Sequence, residues 1–119
     1  MATELLSRPI EVDQAPASQA GPVDPVLGSV TFDEDGLLRI GRRWVAFPEV
    51  EQRLVEVLVD HAGHLVRRDD LAEAAWPGQP IDDDLIYLRI GRARRRIEPY
   101  GLTIVAVRGR GYVLDLRPI

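Results

Sequence analysis

Residues 83–97 carry the pattern that most limits how this chain can fold, because apolar residues recur there at the period of an α-helix. The apolar positions are Ile86, Ile90, Ala93 and Ile97. At about 100° per residue, these side chains lie within about 60° of one another and form one stripe along a helix. Five arginines lie in the same segment, within RIGRARRR at residues 89–96. The segment therefore predicts a helix that buries one face and exposes a strongly basic one.

Alternating and helical patterns divide the rest of the chain into elements. From Gly28 onward, GSVTFD, LLRIGR and RRWVAF alternate apolar and polar residues around turn signals, which predicts three short antiparallel strands. A helical period begins at Pro48 and stops at Gly63, HLVR predicts a short strand, and residues 68–76 predict a second helix. LTIVAV and GYVLDL flank RGRG, which is typical of a β-hairpin. These elements predict an α+β fold with an N-terminal antiparallel sheet, three helices and a C-terminal hairpin.

The domain organisation follows from a change in composition near Gly28. Residues 13–28 are rich in Pro, Ala, Gly and Gln and show no apolar period, which is typical of a linker. The whole chain has 119 residues, which is enough for one domain with a core of its own. We therefore expect residues 1–27 to be a flexible, acidic, Pro-rich tail and residues 28–119 to be the folded domain.

The few aromatic residues are expected to contribute to the core. Aromatic residues make up 6% of the chain, and Trp and Phe side chains bury large apolar areas when a domain folds. We therefore expect Trp44, Phe47 and Trp76 to be buried.

The positive charge of the chain is concentrated near its C-terminal end, although the chain as a whole is acidic. The formal net charge is −4, and all 15 basic residues are arginine. Residues 1–35 hold seven acids and one arginine, whereas residues 85–112 hold seven arginines and one acid, for net charges of −6 and +6. Salt screens charges beyond about 10 Å, so a partner at this surface senses the local charge. An acidic total therefore does not exclude a polyanionic partner.

The helical phase of residues 83–97 points the arginines away from the apolar stripe. Few acids lie four residues from these arginines, so we expect their charges to be largely unpaired within the protein. Leu85 and Leu88 are expected to be exposed among them, and the hairpin tip adds Arg108 and Arg110. A solvated charged face is the simpler interpretation, but these three features favour a surface that binds a polyanion.

Several classes of function lack the residues that they need. The chain has no cysteine, and Asp60, His61 and His64 lie at a predicted helix end without a fourth ligand, so we expect no metal and no cofactor. No Ser/His/Asp set or activated nucleophile stands out, so we expect no enzyme. No apolar run approaches the roughly 20 residues that cross a bilayer, and the N-terminus lacks the order of a secretory signal. We therefore expect a cytoplasmic protein with no membrane partner.

Three segments resemble one known family in both order and content. They are EQRLVEVLVDHAGHLVRRDDLAEAAW, followed by IGRARRRIEP, and then VRGRGYVL. Over residues 28–116 the chain resembles the C-terminal effector domain of OmpR/PhoB-type response regulators, a winged helix-turn-helix whose wing typically reads V-R-G-x-G-Y. The resemblance implies that the N-terminal sheet packs on a three-helix core and that the hairpin is the wing. We expect the chain to lack the receiver domain of such regulators and its phosphoacceptor aspartate.

The resemblance also implies that the chain binds double-stranded DNA as a sequence-specific transcriptional regulator. In that family the third helix, here residues 83–97, enters the major groove, and the wing places an arginine in the adjacent minor groove. On the third helix the candidate DNA-contacting residues are Arg89, Arg92, Arg94, Arg95 and Arg96. On the wing and the second helix they are Arg108, Arg110, Tyr112 and Arg68. An arginine fork reads guanine from the major groove, and a wing arginine favours a narrow, A·T-rich minor groove.

Departures from the family pattern keep a second function open. Asp84 and Leu85 stand where the family often has Arg-Thr, Ala106 replaces the usual wing Thr, and Gly91 replaces a Ser or Arg. The alternative is therefore a winged-helix module that binds RNA polymerase or another acidic partner, with weak or no specific DNA binding. A DNA-binding regulator would instead associate with the nucleoid. Its further partners would be a second copy of the chain bound to the same DNA, and RNA polymerase.

Overall fold

The structure of the chain, a computed structural model, describes residues 25–117. Its helices are α1 (Pro25–Gly28), α2 (Glu49–Asp60), α3 (Arg68–Ala75) and α4 (Asp83–Ile97), with a 3-10 turn at Glu98–Tyr100. Its strands are β1 (Thr31–Phe32), β2 (Leu38–Ile40), β3 (Arg43–Val45), β4 (Leu65–Arg67), β5 (Leu102–Val107) and β6 (Gly111–Leu116). The predicted α+β fold is confirmed, with its N-terminal sheet, three main helices and C-terminal hairpin.

The first sheet is a three-stranded antiparallel sheet in the order β1-β2-β3, as the alternation predicts. Leu38 pairs with Val45 across β2 and β3, and Arg39 pairs with Trp44. Leu38 and Val45 face the core and are 0% and 8% exposed. Because successive side chains of a strand point to opposite faces, the neighbouring pair faces outward. Trp44 is accordingly 55% exposed, and the expectation that it lies in the core is wrong.

Helices α2, α3 and α4 bury the faces that their apolar spacing predicts. The four stripe residues of α4, each at most 1% exposed, are Ile86, Ile90, Ala93 and Ile97. Leu54 and Leu58 of α2 and Leu71 of α3 are fully buried against the same core. Phe47 and Trp76 pack partly buried at its edge, so they contribute to the core as expected. Each buried Leu or Ile contributes about 1.5–3 kcal/mol, so the stripe holds α4 in one rotation about its axis.

The second sheet has the order β4-β6-β5, and β6 is antiparallel to both of its neighbours. Gly111 begins β6 directly opposite Arg67 of β4. A Cβ atom at Gly111 would lie 2.0 Å from the carbonyl oxygen of Val66, far closer than such atoms approach. Glycine is therefore required at this position by the close approach of the β4 backbone. The predicted hairpin is confirmed, with residues 108–110 at its tip.

A short helix just before the predicted boundary at residue 28 contributes one residue to the core. Helix α1 spans Pro25–Gly28, and Leu27 is 2% exposed within the core. The prediction missed this anchor because a single buried leucine in Pro-rich sequence shows no period. The rest of the predicted tail, residues 1–24, lies outside the described residues. Within residues 25–117, every helix is too short or too polar to traverse a lipid bilayer.

Candidate nucleic-acid interface

Helix α4 begins where the sequence provides both a cap and a favourable charge. The Oδ1 atom of Asp82 accepts the backbone N–H of Leu85 at 3.0 Å, so Asp82 is the N-cap. Asp83 and Asp84 lie in the first turn, and arginines 94–96 lie in the last turn. These are the signs of charge that the helix dipole favours at each end. The cap sets the start of the helix, and the buried stripe sets its rotation.

The face of α4 opposite its buried stripe is exposed and basic. Arg92 and Arg95 are exposed, and neither makes a hydrogen bond or an ion pair with a residue in the described part of the chain. Tyr87 and Leu88 on the same helix are 58% and 46% exposed, whereas Leu85 is only partly exposed. The expected exposure is thus confirmed for Leu88, and Tyr87 is an exposed aromatic residue that the sequence reasoning missed. Its helical phase, about 100° from Ile86, was the available signal.

The wing presents two more arginines at its tip. Arg108 and Arg110 are exposed, and their side chains have no partner among residues 25–117. The backbone N–H of Arg110 donates to the carbonyl oxygen of Val107 at 2.9 Å, and Gly109 has a φ of 73°. A positive φ at the third residue of a four-residue turn is characteristic of type II and favours glycine there. This tight turn holds the two arginines at the exposed end of the hairpin.

A groove of about 490 Å³ lies between the start of α4 and the wing. Asp83 and Tyr87 line it from α4, Arg68 from α3, and residues 106–112 from the wing. Tyr112 is 9% exposed, and burial raises the pKa of its hydroxyl above the usual range, to which Tyr87 and Asp83 add. A tyrosine hydroxyl is protonated at neutral pH even at its ordinary pKa, so this one can donate a hydrogen bond to a ligand in the groove.

Arg68 is held at this groove by acidic neighbours. Its guanidinium forms ion pairs with Asp69 and Asp83, and its Nη2 atom donates to the carbonyl oxygen of Ile81 at 3.2 Å. These contacts tie the start of α3 to the start of α4. The side chain is still 35% exposed, so part of the guanidinium remains accessible from the groove.

Two arginines of α4 are held by a buried glutamate of α2. Glu51 is 2% exposed, and its Oε2 lies 3.4 Å from Nη1 of Arg89, while its Oε1 lies 3.8 Å from Nε of Arg96. On α4 itself, Nε of Arg94 lies 3.8 Å from Oε2 of Glu98. The expectation that the arginines of this helix are largely unpaired is therefore wrong for three of the five. Glu51 is 38 residues from Arg89, which is beyond the reach of a search for acids on the same helix.

A signal for the buried position of Glu51 was nevertheless present in the sequence. Glu51 stands three residues before Leu54 and seven before Leu58, so the helical period places it on the buried face of α2. A charge buried without a partner costs several kcal/mol. A carboxylate on that face therefore needs a cation from another element, and α4 supplies two.

The arginines of the predicted site thus separate into two groups. Those paired with an acid of the protein are Arg68, Arg89, Arg94 and Arg96. Those without an acidic partner in the described part of the chain, which we call the outward arginines, are Arg92, Arg95, Arg108 and Arg110. No group of three His, Asp or Glu side chains among residues 25–117 is arranged to hold a metal ion. The outward arginines leave four positive charges that a polyanion can neutralise.

The sequence of the chain is similar to that of known proteins. The family model "Transcriptional regulatory protein, C terminal" matches residues 41–114. The "Uncharacterized transcriptional regulatory protein YvcP" of Bacillus subtilis strain 168 is 35% identical over 71 residues, which cover 57% of this chain and 30% of the relative. The chain therefore spans less than a third of that relative's length.

Solved structures share the fold. The C-terminal domain of the nisin resistance regulator NsrR, a lantibiotic response regulator, is 29% identical and superposes with a TM-score of 0.61, covering 76% of this chain and 96% of that one. The RstA DNA-binding domain of Klebsiella pneumoniae, solved in complex with the RstA box, is 26% identical with a TM-score of 0.59. That match covers 73% of this chain and 91% of the RstA chain.

Proposed function

This chain belongs to the family of transcriptional regulatory protein C-terminal domains, and on that premise we propose that it is a transcriptional regulator that binds double-stranded DNA sequence-specifically. Helix α4 is the recognition helix in the major groove, and the wing lies over the adjacent minor groove. The observation that carries this proposal is the position of the outward arginines on two elements, the exposed face of α4 and the wing tip. The similarity of the chain to a transcriptional regulatory protein and to a DNA-binding domain solved with its DNA supports the proposal.

Each group of arginines has its own role in this proposal. Arg92 and Arg95 read base edges or contact phosphates in the major groove, where an arginine fork discriminates guanine by about 1–3 kcal/mol. Arg108 and Arg110 enter or border the minor groove, whose negative potential is greatest where it is narrow. A chain of this kind has no catalytic role, and we expect it in the cytoplasm, associated with the nucleoid when bound to DNA.

The remaining candidate residues position the protein on the phosphate backbone. A guanidinium has five N–H donors, so Arg89, Arg94 and Arg96 can keep their acidic partners and still donate to a phosphate. Arg68 and Tyr112 line the groove beside the wing, where a phosphate that runs between α4 and the wing would meet both. Such contacts fix the register of the protein on the duplex and add little base preference.

Selection of bound duplexes from a random pool, followed by anisotropy titration of the enriched site, tests this function. Neutralising about four phosphates gives a slope of log affinity against log salt of about −3 to −4. Replacing Arg92 or Arg108 with alanine should weaken binding and flatten this slope by up to about one unit where the residue contacts a phosphate. Arg53→Ala is the matched control, because Arg53 carries the same charge but is paired with Glu49 on the outer face of α2.

A protein-interaction module is the second candidate, and the family and its relatives give it less support. Contact with RNA polymerase and pairing of two copies on DNA are further proposals that rest on the resemblance. A pool that yields no enriched motif, with a flat salt response for every duplex, would overturn DNA binding in favour of this candidate. An enriched motif that the Arg53→Ala control binds normally would support the proposed function.

A further inference from the structure

Gly91 lies in the interior of α4, where a glycine weakens a helix relative to alanine. Its φ is not positive, so alanine would fit its backbone conformation. A Cβ atom added there would meet only Nη1 of Arg95, at 3.9 Å, which is an ordinary contact. Among the described residues, therefore, no neighbour requires a glycine at this position. We therefore look for the reason for a glycine at position 91 in a partner that contacts the exposed side of the helix.

The residues one turn before and one turn after Gly91 surround it. Tyr87 and Leu88 lie four and three residues before it, and Arg94 and Arg95 lie three and four residues after it, so all four adjoin it on the helix surface. Tyr87 and Leu88 are 58% and 46% exposed. Gly91, which is itself partly exposed, thus leaves a gap in the side-chain surface between apolar residues on one side and arginines on the other. We call this gap the Gly91 notch.

The helical phase turns the Gly91 notch away from the core. At about 100° per residue, Gly91 and Arg95 lie about 140° and 180° from Ile86, which is 1% exposed in the core. With α4 in a major groove, this face meets the base edges rather than the phosphate backbone. The missing Cβ lets the helix backbone approach those edges more closely than any other residue would.

The following inference rests on the proposed function: we propose that the Gly91 notch receives the 5-methyl group of a thymine, and that Arg95 reads a nearby guanine. The methyl of thymine is the apolar group that base pairs expose in the major groove. Leu88 and Tyr87 provide its apolar contacts, and the bare backbone at Gly91 provides the room. Arg95 lies four residues, about 6 Å, further along the helix, which corresponds to about two base pairs at about 3.4 Å each. Gly91 is in this sense a specificity-determining residue.

Gly91→Ala separates a role in DNA recognition from a role in folding, because the substitution should raise the Tm of the protein and lower its affinity for the selected site. The substitution replaces glycine in open space within a helix, so the Tm of the protein should rise by several degrees. The same Cβ should occupy the notch and lower the affinity for the selected site about tenfold. Affinity for unrelated duplexes should stay within about twofold, since phosphate contacts are unchanged.

Removing single thymine methyls from the selected site tests the ligand itself. Deoxyuridine in place of thymidine deletes only the 5-methyl group, and one position should cost the wild-type protein about fourfold in affinity. Gly91→Ala should be insensitive to that replacement, because the methyl no longer enters the notch. Leu88→Ala, which removes an exposed wall of the notch, should also lose sensitivity to this methyl while keeping its Tm.

The outcomes distinguish this inference from the proposed function. If the wild-type chain selects a DNA motif but Gly91→Ala binds that motif equally well or better, the inference is overturned and DNA binding stands. A selected motif that tolerates deoxyuridine at every thymine also overturns it. If the wild-type chain enriches no motif and its binding to every duplex shows a flat salt response, the proposed function fails, and the inference fails with it. A deficit of Gly91→Ala that shrinks from about tenfold to about two- or threefold when one thymine methyl is removed supports both.

Discussion

The Oε2 atom of Glu51 lies 3.4 Å from Nη1 of Arg89, so a buried carboxylate on α2 is joined to the helix that carries the basic surface. This contact has two consequences. It supplies Glu51 with a countercharge in the core, and it removes part of the charge of Arg89 from the surface offered to DNA. The density of arginine on α4 therefore serves the docking of the helix as well as the binding of a polyanion.

Arg89→Ala is expected to destabilise the protein by about 1–3 kcal/mol, because Glu51 would keep only the longer contact with Arg96. The matched control is Arg92→Ala, which removes an exposed, unpaired arginine from the same helix and should change stability by no more than about 0.5 kcal/mol. Urea denaturation measures both. In a Glu51→Gln background the cost of Arg89→Ala should shrink, and equal costs in the two backgrounds would contradict the coupling.

Gly111→Ala is expected to destabilise the wing and its sheet by about 3 kcal/mol or more. The new Cβ would lie 2.0 Å from the Val66 carbonyl oxygen, so β4 would have to move away from β6. Gly109→Ala is the control at the wing tip, where the added Cβ meets nothing within 4 Å and only the φ of 73° opposes it. That substitution should cost about 1–2 kcal/mol. Thermal unfolding that ranks the two variants in the reverse order would contradict the close approach.

The turn after β1 should make the stability of the protein depend on pH in the acidic range. The backbone N–H of Leu37 is the largest influence and lowers the pKa of the Asp33 carboxyl; desolvation opposes it, while the side chain of Arg39 and the backbone N–H of Asp35 lower the pKa further. A lowered pKa in the folded state means that the charged form stabilises the fold. This stabilisation is fully present above the unfolded-state pKa near 4 and is lost as the pH falls through the lower folded-state value.

Asp33→Asn should therefore lower the Tm at pH 7, and the difference from the wild-type protein should shrink as the pH falls below about 4. Thermal unfolding of both proteins between about pH 2.5 and pH 7 measures this convergence. A Tm difference that stays constant over that range would show that the carboxylate charge is not the stabilising feature.

Substitution of the two tryptophans should change the stability of the protein by different amounts. Trp44 is 55% exposed on the outer face of the first sheet, so Trp44→Ala should change stability by no more than about 0.5 kcal/mol. Trp76 packs partly buried against the core, so Trp76→Ala should cost about 2–3 kcal/mol, less than the loss of a fully buried tryptophan. Acrylamide should quench the fluorescence of the Trp76→Phe protein, which retains Trp44, more strongly than that of Trp44→Phe. A larger loss of stability from Trp44→Ala would contradict the strand orientation.

The elements of the fold were predictable because each depends on residues close together in the chain. The stripe that begins at Ile86 and the hairpin turn within RGRG both follow from local period and turn chemistry. The burial of Leu27 was not predicted, because a single buried residue leaves no periodic apolar pattern in the sequence. Trp44 was misplaced because its hydrophobicity was weighed without its strand phase, although Val45 beside it already occupies the buried face.

The sequence by itself determined which elements form, which face of α4 is buried and that its opposite face and the wing tip are basic. Only the tertiary structure decided which arginines remain available there. It pairs Arg89 and Arg96 with Glu51 from another helix and leaves Arg92 and Arg95 without an acid among the described residues. The physical reason is that an ion pair depends on distance in space. The chain brings residues 38 positions apart to within 3.4 Å only when α2 and α4 pack on a common core.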